Sequence, residues 1–158
     1  MQTSEVITMS ETDPPNLIHT HTTPWSTGNS AELTYRYKNL DGQHIGARIE
    51  ELAIGGTSSY HHYHTSEEEH VFILSGQATL VWGDNEIPVA HGDHLWFQAG
   101  EEIPHHLVNQ SDELCTYLVY GERKKDDVVV YPDAQVMMVK SLGRRQFTYR
   151  PLNNDDSK

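Results

Sequence analysis

The sequence has few of the basic residues that bind nucleic acids or anionic membranes. Its 158 residues include 11 Lys and Arg against 23 Asp and Glu, which gives a formal net charge of −12. Affinity for nucleic acid comes mainly from Lys and Arg on phosphates, and anionic lipid surfaces also attract basic clusters. We therefore expect neither a nucleic acid nor a membrane as a partner, whereas a small-molecule pocket stays compatible with this charge.

The chain contains a single cysteine, Cys115, so no disulfide can form within it. Cys115 lies in the apolar run 115–120, where a buried strand residue is a simpler interpretation than a nucleophile. A lone cysteine fits a reducing compartment. The first residues carry neither a basic patch nor a long apolar stretch, and no apolar run is long enough to span a membrane. We expect a cytoplasmic protein.

Several catalytic motifs are also missing from the sequence. It contains no GxSxG, phosphate-binding P-loop, GxGxxG or CxxC pattern, so serine hydrolase, nucleotide-binding and dithiol redox functions lack support. Histidine, in contrast, is abundant, and eight of the 11 histidines fall between His61 and His106. Because these histidines are internal and spaced, they do not resemble a purification tag, and metal binding is the first explanation to consider.

The pattern of the chain predicts an all-β fold. From about residue 47 to residue 120, short β-branched or aromatic runs alternate with glycine-containing turns every 8–12 residues or so, which is typical of a sandwich or barrel. Residues 128–131 form one more such run. No segment has a long helical period, so we expect helix only in short turns.

The length suits one domain. We expect a flexible N-terminal arm at 1–15, a barrel at 16–135, and a C-terminal extension with a polar tail at 136–158. No internal repeat or second domain is evident in the sequence.

A candidate metal site begins with His62 and His64. Side chains alternate along a strand, so these two imidazoles point to the same face and can bind one ion together. Glu69 follows a short polar turn and begins the next run, so its carboxylate is expected beside the two histidines. Glu69 is also a candidate base, if it moves off the metal during a reaction.

The fourth candidate ligand is His105, which lies early in a predicted strand after the turn at 102–104. The predicted site therefore combines three neutral imidazoles with one carboxylate. Such a set suits one divalent transition metal, namely Fe, Mn, Ni, Zn, Co or Cu, better than Ca or Mg.

The spacing of these residues resembles the first motif of the cupin superfamily, G-x5-HxH-x4-E-x6-G. Gly56, His62, His64, Glu69 and Gly76 match it at every fixed position. The resemblance implies a double-stranded β-helix, or jelly-roll barrel, that holds a metal on this segment.

The second cupin motif, G-x5-PxG-x2-H-x3-N, is similar to the segment from Gly92 to Asn109. Gly92, Gly100, His105 and Asn109 match, whereas Gln98 replaces the usual proline and two extra residues precede the histidine. Neither change removes a ligand, but both alter the loop before His105.

The resemblance extends to one group of small bacterial cupins over about residues 16–135. It rests on Trp25 and on the stretches 36–40, 121–123 and 131–133. Most members of that group have no assigned function, and some are labelled sugar-phosphate isomerases. By analogy with small cupins, we also expect a homodimer.

Three functions remain open on this evidence. The first is a metal-dependent enzyme on a small polar metabolite, either an isomerase or lyase that uses the metal as a Lewis acid, or a dioxygenase if the metal is Fe or Cu. The second is a non-catalytic module that binds or senses a small ligand. The third is a structural protein whose metal only stabilises the barrel.

Other residues receive simpler interpretations. His61, His106 and His70 each follow or precede a candidate ligand, so alternation places them on the opposite face. Glu67 and Glu68 are interpreted as a solvated turn, and the mixed charges of 122–127 as a surface loop. His91 and His94 flank a turn and are expected to be exposed. Six aromatic residues are assigned to the core and barrel wall, namely Tyr60, Trp82, Trp96, Phe97, Tyr117 and Tyr120.

Overall fold

The computed structural model describes residues 17–18, 20–28, 35–40 and 42–150. Within these residues the regular structure consists of thirteen strands and one 3-10 turn at Lys140–Leu142. The strands in chain order are Ser26–Thr27 (β1), Tyr35–Asn39 (β2), Ile45–Leu52 (β3), Tyr63–His64 (β4), Glu69–Ser75 (β5), Gln77–Trp82 (β6), Asn85–Ala90 (β7), His94–Phe97 (β8), His105–Val108 (β9), Cys115–Glu122 (β10), Val128–Tyr131 (β11), Val136–Val139 (β12) and Arg145–Thr148 (β13).

The strands pair antiparallel in three sheets. The order is β1-β2-β3-β10-β5-β8 in a six-stranded sheet, β7-β6-β9 in a three-stranded sheet, and β13-β12-β11-β4 in a four-stranded sheet. The sheets do not close into a continuous barrel, and together they form a double-stranded β-helix. The predicted all-β fold is confirmed, as is the expectation of helix only in short turns for the described residues. None of the described helical structure is long and apolar enough to cross a membrane.

The apolar core fills the space between the six-stranded and three-stranded sheets. Strands β5 and β10 each send alternate side chains into it, as expected of strands with one buried face. Cys115 is completely buried there, as predicted. Nine other residues form the same cluster, namely Leu52, Val71, Ile73, Ala78, Leu80, Val89, Phe97, Leu107 and Tyr117.

The aromatic residues are divided between this core and the surface. Phe97 and Tyr117 are buried and Trp82 packs against the cluster, which confirms their assignment. Tyr60 and Trp96 are 48% and 58% exposed, so assigning them to the core was wrong. The reason is that alternation along a strand shows which residues share a face but not which face is buried.

The four-stranded sheet contains the segment that follows the barrel strands in sequence. Strand β12 pairs with β11, and β13 pairs with β12, so the chain after residue 134 packs back on the domain. Val129 and Val130 of β11, a strand inside this sheet, are both buried. Residues 1–16 and 151–158 lie outside the described residues, so the arm, the tail and the domain boundaries stay predictions.

Candidate metal centre

Backbone pairing brings the four candidate ligands to one end of the barrel. His62 forms an isolated bridge with His105, in which the His105 amide donates to the His62 carbonyl at 2.8 Å. Two residues later, His64 lies in β4 and pairs with Val129 of the four-stranded sheet. The HxH segment therefore connects two sheets, and both imidazoles reach the space between them.

Glu69 reaches the same space from the start of β5. It pairs with Gly121 of β10 and with Phe97 of β8. A Cβ atom on Gly121 would lie 2.4 Å from the Glu68 carbonyl oxygen, so only glycine allows this close approach of the two strands. Gly121 thereby fixes where the Glu69 carboxylate can lie.

The side chains of the four residues converge. The Oε1 atom of Glu69 lies 3.4 Å from Nε2 of His105, and its Oε2 atom lies 3.8 Å from Nε2 of His64. The His62 ring centroid is 5.2 Å from that of His64 and 5.0 Å from that of His105. The structure thus brings together all four residues that the sequence singled out, and their role as metal ligands stays a prediction.

The tautomers of His62 and His64 suit metal binding. The Nδ1 atom of His62 donates to the Tyr60 carbonyl at 2.7 Å, because a carbonyl oxygen can only accept. The Nδ1 atom of His64 donates to Oδ2 of Asp127 at 2.8 Å. Both rings therefore keep the lone pair of Nε2 free for a ligand, which is the arrangement that orients metal-binding histidines.

His105 is held by packing instead of a hydrogen bond at Nδ1. Its ring lies parallel to that of Phe97, with centroids 3.5 Å apart and an interplanar angle of 1°. Among the described residues its buried Nδ1 atom has no hydrogen-bond partner. The flat contact with Phe97 keeps the Nε2 atom of His105 directed at Glu69.

The protonation states of His62 and Glu69 fit a metal centre, whereas for His64 burial is outweighed by the hydrogen bond with Asp127 and by Glu69, which raise its pKa. Burial lowers the pKa of His62 to about 4, so its ring is neutral near pH 7, the form that coordinates metals. Burial alone would raise the pKa of Glu69, but the hydrogen bond with His105 and the nearby imidazoles lower it to about 2. With three imidazoles and one ionised carboxylate, the residues present fit a divalent transition metal.

A second acidic cluster lies behind His64. Glu67 and Asp127 are both buried, and the Nζ atom of Lys140 contacts both carboxylates, at 3.0 Å from Asp127. Burial raises the pKa of Asp127, but hydrogen bonds from His64 and Lys140 hold it well below its usual range. Ligand atoms of His64, Glu67 and Asp127 lie close enough together to hold an ion, but Lys140 already supplies positive charge there, so we interpret this cluster as a salt-bridge network.

This network corrects two predictions. Glu67 is 7% exposed and not part of a solvated turn, because Lys140 and the Lys124 amide bind its carboxylate. Asp127, assigned to a surface loop, is completely buried and accepts hydrogen bonds from His64 and the Ser66 amide. Their partners lie far away in the sequence, and no local pattern in the chain signalled them.

The four candidate ligands line a cavity of ≈320 Å³ whose other wall carries a second polar group. There the Tyr117 hydroxyl donates to Oε2 of the buried Glu50 at 2.6 Å, and Nη2 of Arg48 lies 2.8 Å from Oε1. Burial raises the pKa of Glu50, although Arg48 and Tyr117 oppose this. Glu50 was not among the predicted site residues. It pairs with Tyr117 across β3 and β10.

The remaining histidines of the cluster are not among the four that converge. The rings of His61 and His106 pack on each other at 5.0 Å, and Nδ1 of His61 lies 3.2 Å from Asp133. His70 stacks on His94 on the outer surface of the six-stranded sheet. His61 and His70 do not line the cavity of the candidate ligands, whereas His106 does, so the predicted opposite face holds for the first two and not for His106. His91 and His94 are exposed as expected.

Comparison with protein families identifies the fold. A family model described as a cupin domain matches residues 48–121, a range that contains all four candidate ligands. These residues are a cupin domain. Cupin domains commonly bind a metal ion, in keeping with the chemistry of the site. No curated protein sequence matches the chain.

Two solved structures resemble this one over most of the chain. A cupin-superfamily sugar phosphate isomerase from Silicibacter pomeroyi is 26% identical, with a TM-score of 0.76, and the match covers 88% of this chain and 98% of that one. A protein from Acidithiobacillus ferrooxidans, provisionally named a sugar phosphate isomerase, is 25% identical, with a TM-score of 0.77 and coverage of 88% and 97%.

A more distant match extends the fold relationship. A protein from Thermotoga maritima, predicted as an oxalate decarboxylase, is 14% identical, with a TM-score of 0.60 over 68% of this chain and 99% of that one. At this identity the likeness shows the shared cupin fold alone.

Proposed function

We propose that this cupin domain is a metal-dependent enzyme that isomerises a small phosphorylated sugar. The observation that carries the proposal is that one cavity contains both the candidate metal ligands and, on its other wall, the buried Glu50–Tyr117 pair. The names of the proteins from Silicibacter pomeroyi and Acidithiobacillus ferrooxidans support sugar phosphates as the substrate class.

In this proposal His62, His64, Glu69 and His105 hold one divalent ion, drawn from Fe, Mn, Ni, Zn, Co and Cu. Such an ion supplies a Lewis acid that polarises a carbonyl or hydroxyl oxygen of the substrate. The ring of Tyr131 lies 5.8 Å from that of His62 and lines the same cavity, where it can pack against the bound sugar.

Glu50 is the base in this proposal, because its environment separates it from an ordinary surface carboxylate. It is 3% exposed, and burial raises its pKa, which makes it a stronger base than an exposed glutamate. Arg48 and Tyr117 hold its two oxygens and fix the direction of the carboxylate. Glu50 therefore replaces Glu69 as our candidate, since Glu69 stays with the metal.

The proton transfer balances within the substrate. Glu50 removes a proton from the carbon beside the carbonyl, and the C–H electron pair becomes the double bond of an enediolate as the proton of the hydroxyl on that carbon moves to the carbonyl oxygen. The electron pair left on the hydroxyl oxygen then forms the new carbonyl, and the double-bond pair takes the proton back from Glu50 at the former carbonyl carbon. The product is the isomeric sugar phosphate, with no net gain or loss of atoms.

The test combines metal analysis of untagged protein with NMR assays of aldose and ketose phosphates in D2O. We expect about one transition metal per chain and interconversion with deuterium entering at the carbon that exchanges its proton. The activity should vanish with a chelator and return with the metal. The metal site would be refuted if the protein contained no metal and its melting temperature did not change when a chelator was added. Oxygen uptake by an iron or copper form, without interconversion, would point to a dioxygenase instead.

Assembly and location belong to the same proposal. We place the protein in the cytoplasm as a homodimer, in keeping with its single buried cysteine and with the analogy to small cupins. Light scattering at micromolar concentration should give twice the mass of one chain, and a mass of one chain would refute the dimer.

A further inference from the structure

Three basic residues lie where two cavities meet. The cavity with the candidate metal ligands adjoins a second, polar cavity of ≈460 Å³, and Arg48, Lys140 and Arg144 line both. The second cavity is also lined by four acidic residues, namely Glu67, Glu68, Glu69 and Glu122, so its charges are mixed. A cation at this junction favours an anionic ligand where no acidic partner already compensates it.

Two of these three cations have acidic partners among the described residues. Lys140 contacts Glu67 and Asp127, and Arg48 pairs with Glu50. For the guanidinium of Arg144, the described part of the chain provides neither a hydrogen bond nor an ion pair. An uncompensated guanidinium beside a polar cavity is available to an incoming anion.

The backbone at Arg144 is unusual for an arginine. After the 3-10 turn, Gly143 and Arg144 both adopt left-handed conformations, with φ of 72° and 59°. Glycine adopts this conformation freely, whereas a residue with a Cβ does so at a cost. This pair reverses the chain between β12 and β13 and leaves Arg144 at the cavity. Residues held in such conformations cluster at functional sites.

Arg144 is also close enough to the candidate metal centre to serve the same ligand. Arg144 and Tyr131 line the same cavity, and the positive charge of Arg144 opposes the rise that burial produces in the pKa of Tyr131. The Tyr131 ring in turn lies 5.8 Å from the His62 ring. One small molecule can therefore span the distance from the imidazoles to the guanidinium.

We infer that Arg144, with Arg48 beside it, forms the binding site for the anionic group of the substrate, a phosphate monoester or a carboxylate. The planar guanidinium presents donors in a fork that matches two oxygens of either group. This inference rests on the proposed function, because it identifies where the charged end of that substrate binds. It also gives the segment after residue 139 a direct part in recognition.

The test uses the charged group alone and needs neither metal nor turnover. Methyl phosphate and acetate are titrated into chelator-treated, untagged protein at low salt by isothermal calorimetry. We expect saturable binding of one of them, weakened about 10-fold or more by Arg144→Gln, because a hydrogen bond to a charged group is lost. The control is Arg145→Gln, since Arg145 is exposed on β13 and lines neither cavity, and it should change the affinity less than about twofold.

A second variant separates binding from folding. Arg144→Gly suits the left-handed backbone, so its melting temperature should stay within about 4 °C of the original while anion binding is lost. Absence of saturable binding to both anions would overturn the inference, as would equal weakening by the substitutions at 144 and 145. The preferred anion identifies the class of the group.

The outcomes are distinct from those of the isomerase test. Anion binding that depends on Arg144 in a protein without isomerase activity would leave this inference standing. Isomerase activity that is unchanged by Arg144→Gln would leave the proposed function standing and reject the subsite.

Discussion

The Nδ1 atom of His64 donates a hydrogen bond of 2.8 Å to Oδ2 of Asp127, whose side chain is completely buried. This contact fixes the tautomer and the ring orientation of a candidate metal ligand. Lys140 binds the same carboxylate and compensates its charge. The candidate centre therefore depends on residues that do not touch the metal position themselves.

We expect Asp127→Asn to weaken metal binding about 10- to 100-fold, because the amide holds the His64 ring less firmly and makes its Nε2 less basic. Competition with a chromogenic chelator measures the affinity. The control is Asp126→Asn, since Asp126 is adjacent and exposed. Equal affinities for the two variants would show that the contact between Asp127 and His64 has no part in metal binding.

Removing a candidate ligand should lower the amount of bound metal much more than it lowers the stability of the fold. His62→Ala and His105→Ala should each reduce bound metal severely, whereas the apolar core between the two sheets keeps the domain folded. Elemental analysis gives the metal content, and circular dichroism reports the fold. His61→Ala is the matched control, because that ring packs on His106 and away from the centre. An unfolded His62→Ala protein would favour a purely structural metal.

Glu50→Gln should lower kcat about 10²- to 10⁴-fold, because the amide keeps the shape of the carboxyl group but cannot accept a proton. Metal content and KM should change little, since Glu50 is not a candidate ligand. Glu51→Gln provides the comparison, because Glu51 is the next residue and instead pairs with Arg36, at 2.6 Å from Nε. Unchanged turnover in Glu50→Gln would remove Glu50 from the mechanism.

The pH dependence of the reaction should report the same group. A base works only when ionised, and burial raises the pKa of Glu50, so kcat/KM should fall on acidification at a higher pH than an ordinary glutamate of about 4.3 would give. Glu50→Gln should lose that part of the profile. Metal content is measured at each pH, because loss of metal at low pH would mimic the effect.

Cys115 should be inert in the native protein. Its thiol is completely buried, and burial raises its pKa to about 11, so at pH 8 only about one molecule in a thousand carries a thiolate. Reaction with iodoacetamide, followed by mass spectrometry, should be slow in buffer and fast in 6 M urea or so, where the chain unfolds. Rapid labelling in buffer would show that the strand opens readily or that the thiol is activated.

The sequence was sufficient for the part of the site that is encoded locally. His62 and His64 are two residues apart, and Glu69 follows after one turn, so alternation and spacing alone place them together. His105 was found because it begins a strand after a recognisable turn, and the structure pairs it directly with His62. The alternation of strand residues likewise predicted that His61 and His70 do not line the cavity.

The residues that support the site could not be found in the same way. Glu50 meets Tyr117 only because β3 and β10 pair in one register, and Asp127 meets His64 across 63 positions of sequence. Glu67 resembles any solvated turn residue until Lys140 is known to lie beside it. A charged residue is buried in a folded protein when a partner compensates its charge. The sequence alone does not identify that partner.

The link from Lys140 to Asp127 and Glu67 has a consequence for how the protein matures during synthesis. All four candidate ligands have been made by the time the ribosome reaches residue 105, but Lys140 emerges only after a further stretch of chain. Without Lys140, Asp127 and Glu67 would be two acids buried together without this counter-charge, which costs free energy. A chain that stopped before residue 140 would therefore lack the cation that compensates the carboxylate on which the His64 ring is oriented.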